Sequence, residues 1–124
     1  MIYTTSCCDK DYADLPPLLE KLDARCVDVR FSPPEKPVQW SKGYLQLLLK
    51  RSYQHLPSLG LREIRPGKFA VQNLTLGLRI LGEERFNVVL LCDCADYDSC
   101  HRKEIARKLE KLGKEVTEIE SWKL

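Results

Sequence analysis

Three consecutive residues, Cys100, His101 and Arg102, set a thiol, an imidazole and a guanidinium side by side. A thiol attacks as the thiolate, a form favoured by a neighbouring imidazole or by a helix N-terminus. A guanidinium offers forked donors that match a phosphate or carboxylate. Shortly before them, Cys92-Asp93-Cys94 supplies two more sulfurs. This stretch could therefore do nucleophilic chemistry through Cys100 or Cys92 with His101 beside it. It could bind an anion. It could also hold a soft metal ion through Cys92, Cys94, Cys100 and His101. Two sharper signatures are missing. Cys stands at position 100, where a phosphatase-like Cys-x5-Arg loop starting at Cys94 needs Arg, and no Cys-x-x-Cys pair has zinc-knuckle spacing.

Such residues act together only if the fold delivers them to one place. The chain alternates between strand-like and helix-like segments. Met1 to Thr5 reads as a first strand, and Leu15, Leu18, Leu19 and Leu22 mark a helix over Tyr12 to Leu22. Pro16 and Pro17 fit only its first turn, so the helix proper starts near Leu15. Cys26 to Arg30 is a second strand, followed by a loop with Pro33, Pro34 and Pro37. Ser41 caps a helix running through Gly43 to Lys50, and Tyr53 to Leu56 is a short third strand. A turn-rich stretch from Pro57 to Lys68 leads to a helix from about Ala70 to Glu84. Phe86 to Cys92 is the most apolar strand. The last helix spans about Ser99 to Leu112, stops at Gly113 and gives way to a strand from Glu115 to Ile119.

Four βα units and a closing strand predict a three-layer α/β/α sandwich with a mostly parallel, five-stranded, Rossmann-like sheet. The continuous apolar strand from Phe86 belongs at its centre. Ligands of open parallel sheets bind beyond the carboxyl ends of the strands. Those ends carry Ser6-Cys7-Cys8-Asp9, Asp28 to Phe31, His55, and Cys92-Asp93-Cys94 followed by Cys100-His101-Arg102. Most of the reactive side chains thus collect on one edge.

At about 100° per residue, Ile105, Leu109 and Leu112 set the buried direction of the last helix, and His101 and Arg102 fall about 50° to either side. Cys100 points away if it is helical and reaches the site only from the preceding loop. Arg30 either contacts an anion or pairs with Asp28, and a charged Asp28 between Val27 and Val29 needs a partner. His55 is either a site residue or a satisfied edge histidine. Cys26 and one of Cys7 and Cys8 suit the core, and Trp40 and Trp122 suit packing. Tyr97 could cover a ligand.

The 124 residues suit one domain, with 44% hydrophobic and 31% charged residues, the composition of an ordinary globular protein. A net charge of +2 does not by itself argue for nucleic acid, and alternating charges through Lys103 to Lys111 describe a solvated helix face. No apolar run approaches the roughly 20 residues that span a bilayer, and no secretory signal is visible. The expectation is a cytoplasmic protein whose six cysteines stay reduced.

Val27-Asp28-Val29-Arg30, Pro33, Tyr53 to Gly60, Leu90-Leu91-Cys92 and Cys100-His101-Arg102, in that order, resemble the domain of unknown function 488 family. Its pattern is a "DVR" strand, a "hLP-LG" segment and an "LLC…CHR" segment before the last helix. The resemblance spans nearly the whole chain. It implies an α/β three-layer fold and sets Asp28, Arg30, Cys92, Cys100, His101 and Arg102 on the family's characteristic positions. It implies no reaction. The chain departs from the pattern after Cys92, where Asp93-Cys94 replaces a frequent Ala-Glu, so Asp93 or Asp96 would have to supply that acid.

Three functions follow. One is an enzyme acting on an anionic, nucleotide-like small molecule held by Arg30 and Arg102, with Asp28 and His55 alongside, and attacked by Cys100 or Cys92. A second is a non-catalytic module that binds nucleotide or nucleic acid. The third is a metal site of Cys92, Cys94, Cys100 and His101. No motif specifies a cofactor, and the exposed face of the Ser41 to Lys50 helix leaves the oligomeric state open.

Overall fold

A computed structural model describes residues 1–82, 85–94, 96–98 and 100–123. The sheet has five strands: β1 (Ile2–Ser6), β2 (Ala24–Asp28), β3 (Tyr53–His55), β6 (Asn87–Cys92) and β7 (Val116–Glu118). Their order is β3-β2-β6-β1-β7, and every pairing is parallel. The apolar strand β6 occupies the centre, as its sequence demands. Val89 and Leu91 face one side and Val88, Leu90 and Cys92 the other, all buried. From Val88 onward the strand is covered on both faces and carries no strongly polar side chain.

Four helices cover the sheet: α1 (Leu15–Leu22), α2 (Lys42–Leu49), α3 (Leu74–Gly82) and α4 (His101–Lys111). α1 and α2 pack through Leu15, Leu18, Leu45 and Leu49 on one face. α3 and α4 pack through Leu81, Ile105 and Leu109 on the other. Three layers result. α1 begins with Pro16 and Pro17 and ends at Asp23, which is left-handed at φ 49°. Ser41 caps α2 by accepting the Tyr44 N–H at 3.2 Å. Gly113, at φ +82°, follows α4, a conformation that favours glycine.

Several expectations need correction. The stretch from Pro57 to Lys68 is more than turns: β4 (Leu61–Arg65) and β5 (Lys68–Val71) form an antiparallel hairpin outside the main sheet. Its apolar Leu61 and Ile64 are three apart, so the period of two that marks a half-buried strand is lost. The hairpin takes Ala70, and α3 starts at Leu74, where Asn73 accepts the Leu76 N–H at 3.1 Å. The expected end of this helix at Glu84 lies outside the described residues. The second correction is Leu112, which follows α4 and is 63% exposed, so Ile105, Ala106 and Leu109 define the buried stripe. β2 also ends at Asp28, which leaves Val29 and Arg30 in the loop beyond it.

The loops leaving β2 and β6 set the site. These strands are neighbours, yet the chain after β2 leads to α2 on one face while the chain after β6 leads to α4 on the other. The two loops part, and a crevice opens between them at the carboxyl edge.

Candidate active site

Val29 continues the line of β2 by donating its N–H to the Leu91 carbonyl at 2.9 Å. That contact carries Arg30 out to the edge. Asp28 is fully buried and grips Arg30: Nε donates to Oδ1 at 2.9 Å and Nη2 to Oδ2 at 2.7 Å. The Tyr53 hydroxyl donates to Oδ2 at 2.6 Å, so a charged group inside the sheet has its partners. Burial pulls the Arg30 pKa down, but the bonds and charge of Asp28 outweigh it and keep the guanidinium protonated. His55 bonds through Nε2 to the Arg30 carbonyl at 2.6 Å, which fixes the backbone behind that side chain. Asp28 and His55 therefore sit at the expected edge but are engaged in positioning Arg30.

Arg30 is 4% exposed, and its Nη1 has no hydrogen-bond partner among the described residues. It lines a cavity of about 280 Å³ with Phe31, Ser32, Asp93, Cys94 and His101. A larger groove, about 810 Å³, shares His101 with it and is also lined by Cys100, Lys103 and Arg107. Leu61 and Phe69 of the hairpin border both.

Cys100 is the N-cap of α4, with extended backbone at φ −95° and ψ 146°. Standing outside the helix, it turns its sulfur inward, is 5% exposed and accepts the Arg102 N–H at 3.5 Å. The first helical residues, His101 and Arg102, are both buried. His101 Nε2 donates to the Val29 carbonyl at 3.1 Å, so Nδ1 faces the sulfurs of Cys100 at 3.7 Å and Cys94 at 3.9 Å. Arg102 is committed internally. Its Nε and Nη2 donate to Glu118 at 3.1 and 2.9 Å, and its Nη1 donates to Cys92 Sγ at 3.0 Å and the Cys94 carbonyl at 3.2 Å. Tyr97 covers this guanidinium, 5.1 Å from ring centroid to Cζ.

The sulfurs of Cys92, Cys94 and Cys100 all lie within 4.8 Å of one another, with Cys92 and Cys100 at 3.4 Å. Negative charge settles on Cys100. Its contacts with the Cys92 and Cys94 sulfurs, and then with Nδ1 of His101 and the helix-terminal N–H, outweigh burial and draw its pKa below the ordinary thiol range. Cys92, whose thiol donates to the Thr5 carbonyl at 3.6 Å, moves the opposite way through its contacts with Cys100 and Cys94 and its burial, despite the nearby Arg102 cation. Burial disfavours charge on His101, yet the bonds to Cys100 and Cys94 win and raise it to about 10. These directions favour a thiolate at Cys100 and an imidazolium at His101, beside two further sulfurs. The same three sulfurs could hold one thiophilic cation, with Nδ1 of His101 near two of them.

Cys26 is fully buried in the core, Cys7 and the edge-to-face pair Trp40 and Trp122 are buried, and Cys8 is half-buried. Burial first of all pushes the Cys7 thiol up to about 11. Sequence reasoning missed Glu118, Tyr53 and the hairpin residues Leu61 and Phe69. Partners so distant along the chain leave no local signal. Only the need of a buried Asp28 for a donor foretold something like Tyr53.

Among the described residues no helix is long and apolar enough to cross a membrane. The fold and the site define a parallel α/β protein with a thiol, imidazole and guanidinium cluster at the carboxyl edge of its sheet. No family model, no curated protein and no solved structure matches the chain.

Proposed function

We propose that the chain is a member of the domain of unknown function 488 family and that it acts on a small anionic, nucleotide-like molecule through the Cys100 thiolate. The observation that carries this reading is Nη1 of Arg30, buried with no partner among the described residues and belonging to a residue that lines the cavity of Cys94 and His101. A buried donor left unmade is costly, and a phosphate or carboxylate oxygen would satisfy it. About 280 Å³ suits one such group. The larger groove offers room for the rest of the molecule. Asp93 on the cavity wall would accept from a ligand hydroxyl or amine. Cys100 would attack, and His101 would deliver the proton held at Nδ1 to the departing group.

Calorimetric titration with inorganic phosphate and with a nucleoside monophosphate tests the pocket. Both are expected to bind the wild type, and Arg30→Lys, which keeps the charge but loses the fork, is expected to lose at least about tenfold in affinity. Iodoacetamide is expected to modify Cys100 at about pH 6 faster than a free thiol, with phosphate protecting it. Absence of phosphate binding, or a Cys100 as slow as a free thiol at pH 7, ends the reading. Unchanged ligand affinity in Cys100→Ser without any turnover would favour a binding module. The sulfur trio supports a second reading as a zinc site. Elemental analysis of protein purified without a metal-binding tag decides it, and less than about a tenth of an equivalent of zinc removes it.

A further inference from the structure

We propose that Cys92 and Cys100 form a dithiol–disulfide couple that reduces small hydroperoxides, with Cys100 attacking and Cys92 resolving. This rests on the reading of Cys100 as the nucleophile and adds a second activity to it. The sulfurs already touch at 3.4 Å and need close by only about 1.4 Å to reach bonding distance. They sit on different elements, Cys92 at the end of β6 and Cys100 capping α4. Cys100 lines the larger groove, which gives a small oxidant its approach, whereas Cys92 is fully buried behind it. The attacking sulfur is thus in front and the resolving sulfur in reserve. Arg102 Nη1, 3.0 Å from Cys92 Sγ, is placed to support that sulfur as it loses its proton.

The chemistry balances. The Cys100 thiolate attacks the terminal oxygen of ROOH, the O–O bond breaks, and Cys100 becomes a sulfenic acid. The departing alkoxide takes the proton held at Nδ1 of His101 and leaves as ROH. The Cys92 sulfur then attacks Cys100 Sγ, the S–O bond breaks, and hydroxide leaves with the Cys92 proton as water. The peroxide gains two electrons, the two cysteines lose them, and two equivalents of an external thiol restore the dithiol.

Substoichiometric hydrogen peroxide, followed by alkylation, cleavage and mass spectrometry, is the test. Cleavage before Asp93, Asp96 and Asp98 puts Cys92, Cys94 and Cys100 on three separate peptides. The expected product is a Cys92–Cys100 cross-link two hydrogens lighter than the reduced pair, with Cys94 recovered in its alkylated form. In Cys92→Ser, dimedone trapping of Cys100 sulfenic acid is expected to rise at least about tenfold. A Cys94–Cys100 cross-link, or over-oxidised Cys100 in the wild type without a cross-link, overturns the proposal. The wild-type mapping decides even if Cys92→Ser fails to fold. Iodoacetamide kinetics separate the two failures. A fast Cys100 with no cross-link removes only the couple, whereas a slow Cys100 removes the nucleophile on which it rests.

Discussion

A thiolate and an imidazolium held 3.7 Å apart inside a protein leave a mark on stability as well as on reactivity. His101 moves from 6.5 in the unfolded chain to about 10, so its share is fully present below 6.5 and is lost as pH rises through 10. Cys100 moves down from 9.0, so its share is present above 9.0 and declines as pH falls below that value. Between 6.5 and 9.0 the folded pair and the unfolded pair bind the same number of protons, one each. The stability difference between wild type and Cys100→Ser, which keeps a capping atom, is expected to be flat across that window. It is expected to shrink on both sides, towards acid and towards pH 10. Urea titrations at a series of pH values check this, and a difference that climbs steadily from pH 6.5 to 9.0 would contradict the ion pair.

At the level of elements, much was legible in the chain itself. Phe86 to Cys92 had to be central because it offers no polar alternation, and Cys100 before a charged periodic run marked the start of α4. The loop position of Cys100 decides whether its sulfur can face the site, and helix boundaries are the least sharp feature of any sequence. The hairpin β4–β5 was hidden because its exposed residues carry no period of two. Its Pro66-Gly67 pair, with Gly67 at φ +76°, is a turn signal that gains meaning only once both strands are known. Gly60 anchors the base of this hairpin against the loop that bears Arg30. A Cβ there would sit 2.3 Å from Phe31 Cα and N, both backbone atoms that cannot swing aside. Gly60→Ala is therefore expected to cost about 1–3 kcal/mol and to weaken phosphate binding. Gly43→Ala in α2, where a Cβ meets nothing within 4 Å, is expected to gain up to about 1 kcal/mol. Chemical denaturation of both variants checks the pair, and equal effects would disprove the close approach.

Across the whole molecule, β7 lies at the edge of the sheet opposite β3, yet Glu118 at its end reaches Arg102 with two bonds and accepts from Thr4 Oγ1 at 2.7 Å. No local pattern in Val116-Thr117-Glu118 announces this. Glu118→Gln is expected to destabilise the protein by about 1.5–3 kcal/mol, the scale of a hydrogen bond to a charged group. It is also expected to slow alkylation of Cys100 by loosening Arg102. Denaturation and alkylation rates measure both effects, and a fully stable variant with an unchanged rate would show the tie to be idle.

The pairing of β1 has a temporal meaning. Ile2 hydrogen-bonds into a ladder with Val88 on one side and Val116 on the other, so the first strand finds no neighbour until most of the chain has been made. Contacts of such high order close slowly. The cysteines consequently spend the folding time in a chain where Glu118, which holds Arg102, and the Val29 carbonyl, which orients His101, are not yet in place. During that interval they behave as ordinary thiols. Their chemistry is therefore acquired late, as a property of the finished sheet.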